Sequence, residues 1–193
     1  IDGTLLDKKI DFQISLYQMK DVNQLINSPI PAEYGYSGQI VNGLSVKNTG
    51  VDLNLSAKVL SNPETVQWNT ALNLNYNQNK LTALPGERKQ LKVGNRLLRV
   101  GEAIDQFWLY ENQGAYDTEA SIPVQNGQKI QFDGVDFAAG DPIWKDQNGD
   151  FKINDEDRVL KGNAMPKLTG SFQNYFKYKG FDLNMQWYFA LGH

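Results

Sequence analysis

The stretch FDLNMQWYFAL, residues 181–191, alternates without a break: Phe181, Leu183, Met185, Trp187, Phe189 and Leu191 fall on one side, Asp182, Asn184, Gln186, Tyr188 and Ala190 on the other. A period of two belongs to an extended strand, in which successive side chains leave opposite faces. One face of this strand is apolar and the other can hydrogen-bond. The same reading extends outward to residues 169–179, joined to it by Lys179-Gly180. In residues 66–77, Trp68, Thr70, Leu72, Leu74 and Tyr76 oppose Asn69, Ala71, Asn73, Asn75 and Asn77. Residues 51–60 set Val51, Leu53, Leu55, Ala57 and Val59 against Asp52, Asn54, Ser56 and Lys58, and residues 9–20 set Ile10, Phe12, Ile14 and Leu16 against Asp11, Gln13, Ser15 and Tyr17. A turn is expected at Asn62-Pro63-Glu64-Thr65, where proline fixes φ.

Alternation alone also suits a soluble sandwich. Three features favour strands in lipid. The strands are long enough for a tilted crossing of the hydrocarbon layer. Trp68, Tyr76, Phe181 and Phe189 sit near strand ends on the apolar face, as interfacial girdles do. The links alternate in length, short at 61–65 and 179–180 and long at 21–50 and 78–168, the rhythm of short periplasmic turns and long external loops. The expected fold is therefore all-β, with antiparallel strands forming an arc of a large transmembrane β-barrel and a long, partly β-structured extracellular loop at 78–168.

Composition narrows the alternatives. The 193 residues suit one domain, and no apolar run approaches the roughly 18 residues of a membrane helix. A net charge of −3 gives no electrostatic case for nucleic acid as a partner. With no cysteine, disulfides, zinc thiolates and thiol chemistry drop out together. The N-terminus, Ile1-Asp2-Gly3-Thr4, does not read as a signal peptide, and the chain is expected to be a piece of something longer.

A link as long as 78–168 is expected to fold in its own right, as an extracellular lid. Hairpins are expected at 90–93 with 96–100, around Gly94-Asn95, and at 122–125 with 128–132, around Asn126-Gly127, a pair that suits two positive φ angles. The same link carries DQNGDFKINDED, residues 146–157. Asp146, Asn148 and Asp150 at the first, third and fifth positions, the Lys152 carbonyl at the seventh and Asp157 at the end are oxygen donors in the order that calcium requires. Phe151 stands where such a loop has glycine, and Asp157 is shorter than the usual final Glu. The competing reading is an acidic, solvated turn stiffened by Asn and Gly.

Other candidates carry less. Arg88, Lys89, Lys92, Arg96 and Arg99 read as a solvated hairpin before a phosphate site. Glu102, Asp105 and Glu111 supply carboxylates, but sequence cannot set the fixed separation that glycoside hydrolysis needs. His193 is the only histidine, so no Ser/His/Asp or two-histidine metal site can be built. No catalytic role is expected. Trp108, Tyr110, Tyr116 and Trp144 are the candidate substrate contacts, since aromatic faces stack on sugars or peptide side chains; Phe132 lies among them, and packing of the loop's own core is the competing role.

Taken in order, Asn48-Thr49-Gly50-Val51-Asp52-Leu53, Trp68-Asn69-Thr70, Gly101-Glu102-Ala103-Ile104, Phe107-Trp108-Leu109-Tyr110, Gly114-Ala115-Tyr116, Gly140-Asp141-Pro142-Ile143, residues 146–157, Gly162-Asn163, Pro166-Lys167 and Tyr178-Lys179-Gly180-Phe181-Asp182-Leu183 resemble the C-terminal barrel region of SusC-like, RagA-type TonB-dependent transporters of Bacteroidetes. The resemblance implies a barrel of about 22 strands with a plugged lumen. It implies a place in the Gram-negative outer membrane and import of oligosaccharides or oligopeptides. The implied partners are a SusD-like surface lipoprotein and TonB, the latter reached through an N-terminal part that this chain lacks. In that family the position of Phe151 is usually glycine. The alternative from another class is a soluble β-rich, calcium-stabilised glycan-binding module, whose apolar faces would form an interior.

Overall fold

A computed structural model describes residues 1–62 and 65–193, the side chain of Ala32 aside. One antiparallel sheet dominates it. Its strands are β1 (Asp2–Leu5), β2 (Ile10–Ser28), β3 (Gln39–Ser61) and β4 (Val66–Ala83), and, after a long excursion, β16 (Leu168–Tyr178) and β17 (Phe181–Leu191). The order is β1-β2-β3-β4-β16-β17, so neighbours in space follow the chain except where the excursion leaves β4 and returns to its side at β16. The excursion contains β5 (Gln90–Val93), β6 (Arg96–Arg99), β7 (Phe107–Tyr110), β8 (Asn112–Ala115), β9 (Val124–Gln125), β10 (Gln128–Lys129), β11 (Gln131–Phe132), β12 (Val135–Asp136), β13 (Pro142–Trp144), β14 (Lys152–Ile153) and β15 (Arg158–Lys161). The chain divides into two compact units, residues 1–94, 98–105 and 162–193 in the first and residues 95–97 and 106–161 in the second.

The register turns the sequence alternation into rows. Phe12, Leu55, Leu72, Phe172 and Trp187 lie side by side across five strands, and Ile14, Leu53, Leu74, Gly170 and Phe189 form the next row. Between them, on the other face, run Gln13, Asn54, Asn73, Ser171 and Tyr188. The apolar rows are not a core: Leu16 is 74% exposed, Trp187 49% and Leu183 53%. An exposed apolar face of this extent is what a lipid-facing wall requires and what a sandwich would cover. Phe172 and Trp187 stack in neighbouring strands, 5.8 Å between centroids, as do Trp68 and Phe176 at 5.2 Å. Asn174 breaks the apolar pattern, and its Oδ1 accepts the Trp68 indole N–H at 2.9 Å, so neither polar group is left unpaired.

At one end of the sheet β1 passes to β2, β3 ends at Ser61 beside the start of β4 at Val66, and β16 passes to β17. The strand ends that open onto the long links, Ser28, Gln39, Ala83 and Leu168, lie at the other. The turn expected at Pro63-Glu64 lies outside the described residues; beside it, the Thr65 N–H donates to the Asn62 carbonyl at 3.3 Å.

Three strands run further than the alternation indicates. The strand expected at 9–20 ends at Ser28, that at 51–60 begins at Gln39, and that at 66–77 continues to Ala83, so the long link expected at 21–50 shrinks to 29–38. The reason is an exchange of faces. Beyond Leu16, Val51 and Tyr76 the face that was apolar carries Gln18, Thr49 and Gln78, then Lys20, Lys47 and Lys80. The opposite face, polar lower down, becomes apolar and buries Leu44, Val46 and Leu81 with Leu84, Leu91 and Leu98. Register shifts at Asp21/Gln24 and Ser45/Val46 obscure the pattern further. The four-residue edge strand β1 went unread because it is short, and it pairs Gly3 with Phe12.

The second unit has its own core of Tyr116, Ile122, Ile130, Phe137 and Ile153. A folded structure for this stretch is as expected. At Asn126-Gly127 both residues have positive φ, 51° and 79°, and β9 and β10 flank them, shorter than the expected strands. The hairpin of β5 and β6 also forms where expected, with Gly94 at φ 58°.

Candidate functional site

The polar face of the sheet is a hydrogen-bonding surface. The Asn73 amide donates to Ser171 Oγ at 3.1 Å and the Asn54 amide to Gln13 Oε1 at 3.5 Å. Asn75 donates to both Asp52 and the Tyr17 hydroxyl. Two depressions of about 440 and 400 Å³ open on this face. Asp11, Lys58, Asn69 and Asn184 are among those lining the first, and Asn54, Asn73, Gln186 and Tyr188 among those lining the second. Carboxamides both donate and accept, so such a surface meets a polar, uncharged solute in many orientations. The large share of Asn on this face was legible in sequence.

In the second unit, β7 pairs with β15 and brings Trp108 and Tyr110 beside Arg158. The Arg158 guanidinium carbon lies 4.8 Å from the Trp108 ring centroid and 4.7 Å from that of Tyr110, within cation–π range. Tyr110 and Trp144 follow at 5.6 Å between centroids. Gln106, Trp108, Tyr110, Trp144 and Arg158 are among the residues lining a cavity of about 490 Å³. Three of the four expected aromatic contacts therefore share one cavity. Tyr116 does not: it is 3% exposed, 5.5 Å from Phe137 in the core, and burial pushes its hydroxyl pKa up. Its place is structural, because an inward-facing ring on a small unit is worth more as core than at the surface. Phe132 likewise packs against that core. Arg158 was missed; its signal was a cation directly after the acidic run, where its Nε lies 3.2 Å from Asp155.

Residues 146–157 fold as linked side-chain turns. Asp146 accepts the N–H groups of Gly149 at 2.7 Å and Phe151 at 2.8 Å, Asn148 accepts that of Asp150 at 3.0 Å, and Asp150 that of Lys152 at 2.9 Å. Asp157 is fully buried and accepts the N–H groups of Gln147 and Asn154, each at 2.8 Å. Phe151 adopts φ 66°, and Gly149 φ 77°. The sharp turn that calcium loops assign to glycine is thus made at the same position by phenylalanine. Each carboxylate oxygen keeps a second lone pair, so the donor chemistry suits a hard cation. Among the described residues, however, no three Asp, Glu, His or Cys side chains stand close enough together to hold a metal ion. A cation would have to draw Asp146, Asp150 and Asp157 together.

Glu111 is held below the usual carboxylate range by hydrogen bonds from Lys161 and Gln147 and by the charges of Lys161 and Lys145, the wrong direction for a general acid. Of the basic run, Arg88 donates to Ser28 Oγ at 3.3 Å and serves the first unit's structure.

No family model matches the chain. Two TonB-dependent receptors of Formosa agariphila, P39 and P3, are 30% and 28% identical to it over 94% and 100% of its length. The chain spans about a fifth of these relatives, 20% of each. Among solved structures, the RagAB peptide transporter superposes with a TM-score of 0.75 at 19% identity, covering 99% of this chain and 20% of that one. The RagAB peptide importer in its closed-closed state gives 0.72 at 20% identity, over 99% of this chain and 20% of that one. That likeness fixes the fold: the open six-stranded sheet is an arc of a large barrel wall, and the excursion is a folded loop of the same barrel. These relatives are receptors and transporters by name.

Proposed function

We propose an import role in the outer membrane for this chain, which belongs to the SusC/RagA-like TonB-dependent receptors. The observation that carries the reading is the row Gln13-Asn54-Asn73-Ser171-Tyr188 lying back to back with exposed apolar rows. In a barrel the apolar rows meet lipid and the amide rows line the lumen. An oligosaccharide or oligopeptide is the solute such a lining suits, because it presents many neutral donors and acceptors to amides that can do either. The cavity of Trp108, Tyr110 and Trp144 offers flat apolar faces to a sugar ring or a peptide side chain as it arrives. The Arg158 guanidinium, paired with Asp155, lies over the Trp108 and Tyr110 rings. The partners in this reading are a SusD-like surface lipoprotein on the external side and TonB, which would supply the energy through another part of the receptor. The loop 146–157 takes calcium in this reading; its support is the donor order and the left-handed turn at Phe151.

The test uses the full-length receptor in its own cell envelope. Asn73→Val with Asn75→Val, and separately Trp108→Ala with Trp144→Ala, are compared with the unaltered receptor for uptake of oligosaccharide and oligopeptide pools at equal surface abundance. Uptake of one pool is expected to fall severalfold in both variants and to cease when TonB is removed. Uptake of both pools unchanged by either pair of substitutions and by loss of TonB refutes the reading.

A further inference from the structure

The exchange of faces on β2, β3 and β4 leaves three cations in one line. Lys20 lies opposite Lys47, and Lys47 opposite Lys80, in a register that runs without a shift from Leu16, Val51 and Tyr76. With side chains alternating along each strand, all three lysines leave the sheet on the apolar, outward face; Val46 and Leu81, next to them in sequence, are buried on the other. Lys20 and Lys80 are exposed and Lys47 is half-buried. Among the described residues none of the three has an ion-pair partner.

Like charges directly opposite each other across a ladder destabilise a sheet, so three in succession are costly unless an anion lies over them. Their height names the anion. The outward rows run from Trp68 to Tyr76 on β4, about 27 Å along the strand at 3.4 Å per residue. At a tilt near 40° that is a band of about 21 Å, close to the apolar belt of an outer-membrane barrel. Gln18, Thr49 and Gln78 follow, and the lysine row stands about 10 Å above the band's upper edge, at headgroup level. The row spans two strand spacings, roughly 10 Å, wide enough for more than one phosphate of a single headgroup.

We propose that Lys20, Lys47 and Lys80 form a binding site for the phosphates of an anionic lipid headgroup, at the end of the barrel that carries the long loops. The inference rests on the membrane reading of the apolar face. It does not depend on what the receptor imports.

The test is lipid retention by the full-length receptor reconstituted into neutral phosphatidylcholine vesicles containing a minor share of phosphatidic acid as the probe. Native mass spectrometry of the extracted receptor is expected to find phosphatidic acid enriched over phosphatidylcholine. The K20Q/K47Q/K80Q variant is expected to bind it on the order of a hundredfold more weakly, from the usual contribution of a lysine near a charged membrane surface. A K20R/K47R/K80R variant is expected to retain it. Equal retention by the Gln variant and the unaltered receptor, with both floating with the vesicles, overturns this proposal alone. Failure of the unaltered receptor to enter the vesicles overturns the membrane reading and this proposal with it.

Discussion

Tyr17 lies across Gly50 on the neighbouring strand, so close that a β-carbon on Gly50 would fall 2.3 Å from the ring and 2.6 Å from the Tyr76 carbonyl oxygen. The glycine is there for space, not for its backbone freedom. It lets the tyrosine lie flat along the polar face, where its hydroxyl accepts from Asn75 at 3.4 Å. Gly50→Ala therefore displaces the ring or shifts the strand backbone, at a cost of about 1–3 kcal/mol. Thermal unfolding of the full-length receptor in detergent is expected to show this loss, and Tyr17→Ala in the same chain is expected to recover part of it. Additive effects of the two substitutions would show that the contact is not the cause.

Leu72 and Asn73 are adjacent residues that leave the wall on opposite faces, each in the middle of its row. Leu72→Arg places a charge at the centre of the apolar belt, where an outer-membrane barrel loses about 2–4 kcal/mol. Asn73→Arg places the same charge among amides and is expected to cost under 1 kcal/mol. Denaturant titrations of the two full-length variants check the difference. Equal losses would mean that the apolar rows do not face lipid.

How much of this was legible in sequence depended on where the solvent changes. Residues 181–191 could be read at sight because lipid on one side and water on the other impose a strict period of two. At Lys20, Lys47 and Lys80 the outward face meets polar surroundings, the inward face acquires a core at Leu81 and Val46, and the alternation reverses. The strict period of two therefore ends short of Ser28 and Ala83, although the strands continue to them. In the loop, Asn126-Gly127 announced its turn because few residue pairs accept two positive φ angles. Arg158 did not announce itself: its partners Trp108 and Tyr110 lie some fifty positions earlier, and only the pairing of β7 with β15 brings them together.

Phe151 holds a left-handed backbone and also packs against the core around Ile153. The two roles are separable. Phe151→Ala loses the packing and keeps the strained φ, whereas Phe151→Gly loses the packing and relieves the strain, which is worth about 1–2 kcal/mol for a residue with a β-carbon. The Gly variant is expected to be the more stable of the two by about 1 kcal/mol, the reverse of the usual order in regular structure. Hydrogen exchange over residues 146–157 in the full-length receptor measures it. Faster exchange in the Gly variant would show that φ 66° carries no strain.

The calcium reading of the same loop turns on charge, and Asp150 allows charge to be removed without the turn. Among the described residues its side chain makes one hydrogen bond, in which Oδ1 accepts from the Lys152 N–H, and an asparagine oxygen accepts that bond equally well. Asp150→Asn therefore keeps the loop's shape and subtracts one negative ligand, and affinity in such loops follows the count of charged ligands. Calorimetric titration of calcium into the full-length receptor is expected to give a saturable heat, weakened about tenfold or more in the Asn variant. Hydrogen exchange over residues 146–157 is expected to slow on adding calcium. Absence of heat with the unaltered receptor would leave the hydrogen bonds to Asp146 and Asp157 as the whole explanation of the loop, and an isotherm unchanged by Asp150→Asn would place the ion elsewhere.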